Sequence, residues 1–166
     1  HATGGEIRVG NREITNQSTR MNIDNGICYI PDDRLKYGII SDFSVWENSI
    51  LGLHYRSEFR NGLFMDFDKI RSYAEEYVER YDVMTPSIDQ PVKFLSGGNI
   101  QKVILARELE QSPLVILANQ PTRGLDVGVI EYVHQKLIER STEGAAILLA
   151  SEELEHLFSL TDRIAV

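Results

Sequence analysis

The beginning of the chain alternates polar and apolar residues, which is typical of short strands. In residues 5–15 this alternation lies on both sides of the pair Gly10-Asn11 and predicts a β hairpin. Gly26–Ile30 is a further strand candidate, and it ends at Pro31 because proline has no N–H to donate to a sheet.

The middle of the chain has helical spacing. The pattern changes at about Val45, and Ile50, Leu51 and His54 follow at intervals of a helix. Over residues 70–81, apolar and aromatic side chains recur every three or four positions and predict an amphipathic helix. Proline-containing pairs between residues 85 and 91 indicate a loop after that helix.

The second half of the chain alternates between strand and helix. Leu114–Ala118 and Ala145–Ala150 are apolar runs that predict two buried parallel strands. A helical stripe separates them, a short helix around Leu154 follows, and Arg163–Val166 predicts the start of one more strand. Because parallel strands need crossover connections, the pattern indicates an α/β fold with a parallel sheet.

Composition narrows the class of protein. The chain has 166 residues, of which 42% are hydrophobic, and that suits one globular domain. Cys28 is alone, so neither a disulfide framework nor a zinc-type cysteine cluster is expected. Lys and Arg number 17 against 25 Asp and Glu, a formal charge of −8. Because nucleic acids bind cationic surfaces, no nucleic-acid partner is expected.

A glycine pair begins the next helical pattern. Residues 95–102 read Leu-Ser-Gly-Gly-Asn-Ile-Gln-Lys, with Ser96 at the N-cap position and Leu95 and Ile100 placed for a hydrophobic staple. Glycine costs a helix about 1 kcal/mol against alanine, so Gly97 and Gly98 need a reason. One reason is close approach of backbone N–H groups to an anion. The alternative is an ordinary capped helix after a loop.

Five segments together resemble the ATP-binding domains of ABC transporters. The segment Leu95–Asn99, with Gln101, resembles the signature motif of that family. The other four resemble, in chain order, the Q-loop, the Walker B end with its Pro-Thr, the D-loop and the end of the switch-histidine strand: Tyr29–Asp32, Leu114–Thr122, Arg123–Asp126 and Ile147–Leu154.

The resemblance implies a P-loop NTPase-like (RecA-like) parallel sheet with an inserted α-helical subdomain and an N-terminal antiparallel β hairpin. On that scheme residues 1–41 are the β subdomain and Q-loop region, and 42–92 are the helical subdomain. Residues 93–166 then carry the signature helix, Walker B, D-loop and switch region. The strings around the signature and D-loop look most like the second half of tandem ATPases that energise uptake of simple sugars or nucleosides in bacteria. Ala118–Thr122 favours the nucleoside group.

The chain departs from the family pattern in two ways. No Gly-Lys-Ser/Thr string is present, so the chain is expected to begin after the phosphate-binding loop, to end before the last strands, and to be inactive by itself. Asn119 and Gln120 stand where the family has Asp and Glu, Ser151 stands for the switch histidine, and Asp32 stands for the Q-loop glutamine. This predicts a degenerate hydrolytic site. The alternative is that the two amides only cap a buried strand.

The resemblance also implies partners. In the family, a signature motif faces the nucleotide held by another P-loop-bearing half. Ser96, Gly97, Gly98 and Asn99, with Gln101, would therefore contact ATP with its Mg²⁺ in that half, and the chain itself is expected to hold no metal. Asp126 would lie at the seam between halves or, alternatively, be a turn aspartate.

Further partners follow from the same resemblance. Asp32 would lie at a hinge near the membrane permease subunits, and a solute-binding protein would act indirectly. Phe43, Trp46 and Tyr55 either line a groove for the permease or belong to the core. The expected location is peripheral, at the cytoplasmic face of the bacterial plasma membrane. Two alternatives stay open: a soluble ABC-type ATPase in DNA repair or on the ribosome, and a non-catalytic dimerisation module.

Overall fold

The computed structural model describes residues 2–165. Its helices and strands, in chain order, are β1 (Arg8–Val9), β2 (Arg12–Glu13), α1 (Thr19–Asp24), β3 (Ile27–Ile30), α2 (Val45–Ser49), β4 (Arg60–Asn61), β5 (Phe64–Met65), α3 (Phe67–Arg80), α4 (Gly97–Leu109), β6 (Val115–Asn119), α5 (Val127–Thr142), β7 (Ala146–Ala150) and α6 (Leu154–Leu160). A single π-helical turn covers Arg34–Gly38, and short 3₁₀ turns cover Ser57–Phe59 and Val92–Phe94.

The central sheet is parallel, with strand order β3-β6-β7. Each crossover carries helices, as the α/β pattern predicts. Strands β1 and β2 form the antiparallel hairpin predicted for residues 5–15, and Gly10 at its turn has a φ of 57°, which glycine adopts without steric cost. The predicted fold class is confirmed.

The core lies on one face of the sheet. Cys28 and Ile30 of β3 and Ile116 and Ala118 of β6 are buried together with the apolar residues of α4. Helix α3 joins this core through Tyr77, whose hydroxyl donates a hydrogen bond to the Val103 carbonyl of α4. The helix predicted over residues 70–81 is confirmed as α3, which begins after Asp66, whose carboxylate accepts from the Lys69 N–H.

The prediction of two fully buried strands is wrong. Burial alternates along β6 and β7, and Leu148 of β7 is 68% exposed. The reason is that β7 is an edge strand of the described sheet and that α4 and α5 cover one face only. Tyr29, Leu117 and Leu148 share one rung of the register on the opposite face.

Residues 41–46 and 88–93 run side by side, at the two ends of the segment 42–92. Val45 N–H donates to the Gln90 carbonyl, Val92 N–H donates to the Phe43 carbonyl, and Lys93 Nζ lies 2.7 Å from an Asp42 carboxylate oxygen. Helix α2 follows at once with a capping box. It ends at Ser49, so the helical spacing of Ile50, Leu51 and His54 is misleading: these residues form turns around Gly52, whose φ is +79°.

The end of the described chain is loosely packed. No residue of α6 is buried, and Phe158 is 74% exposed. The predicted strand at Arg163–Val166 does not form over residues 163–165, and Val166 lies outside the described residues. Within residues 2–165, helices are all too short or too polar to span a lipid bilayer.

Candidate functional site

Four of the predicted site residues lie at one edge of the sheet. Because β3, β6 and β7 are parallel, their carboxyl ends meet at the same edge. Asp32 comes shortly after β3, Asn119 ends β6 and Gln120 follows it, and Ser151 follows β7. The fold therefore brings the residues predicted as Q-loop, Walker B and switch positions to neighbouring strand ends.

Gln120 is hydrogen-bonded to the end of β7 and to the residues after it. Its backbone has a φ of 48°, its N–H donates to the Ala150 carbonyl at 2.8 Å, and its Oε1 accepts from the Glu152 N–H at 3.3 Å. The Ser151 hydroxyl accepts from the Glu153 N–H at 3.1 Å. Both side chains thus shape the turn after β7.

This edge is a poor site for a magnesium ion or a general base. The residues at the Walker B position, Asn119 and Gln120, are neutral amides, and Mg²⁺ prefers carboxylate and phosphate oxygens. An amide also has no basic lone pair able to take a proton from water at neutral pH. Asn119 and Gln120 therefore supply neither a carboxylate for Mg²⁺ nor a general base.

The start of α4 fits an anion better. Ser96 is the N-cap, and its hydroxyl oxygen lies 3.3 Å from the Asn99 N–H and 3.0 Å from Asn99 Nδ2. Asn99 Oδ1 accepts from the Met84 N–H at 2.8 Å, which fixes the amide side chain. The first N–H groups of a helix have no partner within it, and the helix dipole favours negative charge there.

Glycine is present at the first two positions of this helix for different reasons. A Cβ on Gly97 would meet nothing within 4 Å, so this exposed residue leaves its amide open to a ligand. A Cβ on Gly98 would lie 2.7 Å from Cγ2 of Val129 on α5, so Gly98 is needed for helix packing. Packing therefore accounts for Gly98, and of the two glycines only Gly97 is left for the predicted approach of an anion.

Alanine at these two positions separates packing from anion binding. Gly98→Ala is expected to lower the free energy of unfolding of the parent protein by about 1–3 kcal/mol, because the added Cβ overlaps Cγ2 of Val129, a β-branched residue with few rotamers on a helix. Gly97→Ala is the matched control and is expected to cause no such loss. Adding Val129→Ala to Gly98→Ala is expected to restore the melting temperature measured by scanning calorimetry. Equal destabilisation by both single substitutions would contradict this assignment.

Gln101 and Asp126 both have structural contacts. Gln101 is 1% exposed, and its Nε2 donates to the Pro121 carbonyl at 2.8 Å, so it links α4 to the turn after β6. Asp126 is exposed at the N-cap of α5, and its Oδ1 accepts from the Val129 N–H at 3.1 Å. Since Gly98 packs on Val129, the signature segment and Asp126 are neighbours.

The structure separates the three aromatic residues considered for a permease groove. Trp46 packs edge-on against Phe67 and joins a small core with Leu53. The Tyr55 hydroxyl donates to Asp24. Phe43 is 40% exposed. The alternative of core packing therefore holds for Trp46.

Two side-chain contacts to the turn after β6 are not predictable from the sequence. The Arg34 guanidinium donates to the Arg123 carbonyl, and the Thr122 hydroxyl lies 3.4 Å from His156 Nδ1. The His156 ring lies 4.5 Å, centroid to centroid, from His134 of α5. Burial and, less strongly, His156 lower the pKa of His134, against the opposite effect of Glu153. These contacts join residues far apart in the chain, and the sequence carries no local signal for them.

Comparison with known proteins gives two kinds of likeness. A glucose import ATP-binding protein of Haloferax volcanii is 42% identical over 166 residues, which cover 99% of this chain and 30% of that protein. A guanosine import ATP-binding protein of Bacillus subtilis is 42% identical over 162 residues, covering 98% of this chain and 32% of that protein. The chain spans about a third of the length of these curated relatives. No protein-family model matches it.

The fold is also found among solved structures. A dimeric ATP-binding cassette bound to ADP and Pi matches with a TM-score of 0.71 at 24% identity, covering 93% of this chain and 65% of that chain. The solved structure shows likeness in fold, and the sequence likeness covers the whole chain. The chain has the fold of an ATP-binding cassette, and by its sequence it belongs to the ABC family of ATP-binding proteins, as part of a nucleotide-binding domain.

Proposed function

We propose that this chain is the signature-bearing part of an ATP-binding subunit of an importer for simple sugars or nucleosides. In this proposal Ser96, Gly97 and Asn99 contact the γ-phosphate of an ATP molecule held by another, P-loop-bearing half. Gly98 and Gln101 position that helix start, and Asp126 lies at the seam between the halves.

The observation that carries the proposal is the contrast between the two candidate sites. The start of α4 keeps a hydroxyl, an ordered amide side chain and an open glycine amide at Gly97. The strand edge has Asn119 and Gln120 where hydrolysis needs charge. A half with these features supports ATP hydrolysis in its partner and contributes little at its own edge. By itself the chain is expected to be inactive.

Cofactors and partners follow from this arrangement. The nucleotide is ATP, and the Mg²⁺ that accompanies it is held by the partner half, because Asn119 and Gln120 offer no carboxylate. The proposed partners are that half, transmembrane permease subunits and, indirectly, a solute-binding protein. The subunit would lie at the cytoplasmic face of the membrane. The importer names of the relatives favour this over a soluble role in repair or translation.

The scheme of subdomains is part of the proposal. Residues 1–41, 42–92 and 93–166 are the β subdomain with the Q-loop region, the helical subdomain, and the signature-to-switch region. The paired backbones at 41–46 and 88–93 support a hinge there, and Asp32 lies shortly before it in the chain.

Uptake by cells that lack the parent gene tests the proposed function. We expect deletion to abolish uptake of radiolabelled nucleosides or of simple sugars, and the intact gene to restore it. Adenosine, guanosine, glucose and ribose would be tested in turn, with an amino acid as the control solute. Unchanged uptake of all four, with the parent protein recovered away from membranes, would contradict the proposal.

A further inference from the structure

The turn between β6 and α5 is the meeting point of three other segments. It covers residues 120–126, where Arg123 N–H donates to the Gln120 carbonyl and Gly124 has a φ of +65°. Gln101 of α4 donates to the Pro121 carbonyl, and the Thr122 hydroxyl contacts His156 of α6. The third contact comes from Arg34, whose guanidinium donates to the Arg123 carbonyl.

Arg34 begins the π-helical turn that follows the Asp32 position. Asp33 caps that turn by accepting from the Lys36 N–H at 3.0 Å. The other end of the turn is pinned to α4, because a Cβ on Gly38 would clash with Cδ1 of the fully buried Ile104. The turn therefore bridges the signature helix at one end and the 120–126 turn at the other.

The hydrogen bond from Arg34 is suited to transmitting a displacement to the 120–126 turn. Its acceptor is a backbone carbonyl, so moving the guanidinium moves the main chain and not only a side chain. Arg34 is half-buried, and burial lowers the pKa of its guanidinium, although an arginine stays charged at neutral pH. The bond itself lies at the surface, but hydrogen bonds from charged donors are stronger than neutral ones.

We propose that Arg34 is a positioning residue that couples the segment after Asp32 to the turn carrying Asp126. The inference rests on the proposed function. Residues 34–38 lie between Asp32 and the hinge beside residues 41–46, and Arg34 passes a displacement of that turn to the Arg123 carbonyl and so to Asp126 at the seam. Arg34 contacts no nucleotide and no solute in this scheme.

Reconstitution of the parent protein with its permease and solute-binding subunits in proteoliposomes tests the coupling. ATP hydrolysis is measured with and without adenosine, guanosine, glucose or ribose. Arg34→Met keeps the length of the side chain but removes the donors. It is expected to leave basal hydrolysis and the KM for ATP unchanged and to lower solute-stimulated hydrolysis on the order of tenfold, the effect of losing one hydrogen bond from a charged donor.

Two further variants make the result decisive. Arg34→Lys retains a charged donor and is expected to restore part of the stimulation. Lys36→Met removes an exposed charge from the same turn and is expected to behave as wild type. Wild-type stimulation in Arg34→Met, or equal loss of basal and stimulated rates with a lower melting temperature, would overturn the coupling role. If the wild-type assembly shows no ATP-dependent uptake, the proposed function itself fails.

Discussion

Ser96→Arg is expected to lower ATP-dependent uptake by the parent protein by about 10²–10³-fold, the loss seen when one preorganised donor to a developing charge is removed. Ser96 caps α4 beside the open Gly97 amide, so a long side chain there occupies the space proposed for the γ-phosphate. Uptake of labelled solute into vesicles measures the effect. ATP binding to the P-loop of the other half should persist.

Ser18→Arg is the matched control. Ser18 is also an exposed N-cap serine, and its hydroxyl accepts from the Met21 N–H at the start of α1. Both substitutions lose a cap of about 1 kcal/mol, so a general effect on stability would appear in both variants. Ser96→Thr keeps the hydroxyl and should retain uptake. Loss of uptake in Ser18→Arg, or its retention in Ser96→Arg, would contradict the proposed role of the signature segment.

The second large effect is expected at the strand edge. Asn119→Asp with Gln120→Glu restores carboxylates in side chains of the same shape, and a carboxylate oxygen in place of Gln120 Oε1 could still accept from the Glu152 N–H. A general base typically contributes about 10²–10⁴ to a rate. We expect ATP turnover at this half to rise within that range. The assay uses the parent protein with its other nucleotide site inactivated, so that only this site reports.

The control for added charge is Gln135→Glu. Gln135 is exposed on α5, away from the strand edge, so the same change of residue should leave turnover unchanged. If the double variant also gives no rise while ATP still binds, the loss of charge at residues 119 and 120 is not what limits this site.

Local sequence patterns predicted helices and strands well where residues close in sequence determine the structure. The spacing over residues 70–81 and the apolar run at Leu114–Ala118 depend on neighbours in sequence, and α3 and β6 form there. Burial was harder to predict, because it depends on which face of the sheet is covered. Leu148 lies in an apolar run yet is 68% exposed at an edge strand.

In the candidate site, too, features that depend on neighbours in sequence were predictable and features that depend on distant residues were not. Ser96 was predictable as an N-cap, because capping involves residues within one helical turn. The need for glycine at position 98 was not predictable, because it comes from contact with Val129, 31 positions further along the chain. The Arg34 contact spans 89 residues and ends on a carbonyl that every residue type carries, so no sequence pattern reveals it.

The measurement that tests the central claim most directly is a structure of the parent protein with a trapped, non-hydrolysable ATP analogue. We expect the Ser96 hydroxyl and the Gly97 N–H to lie within hydrogen-bond distance, about 3 Å, of γ-phosphate oxygens on a nucleotide bound by the other half. A closed, nucleotide-loaded assembly in which the start of α4 faces solvent would contradict it.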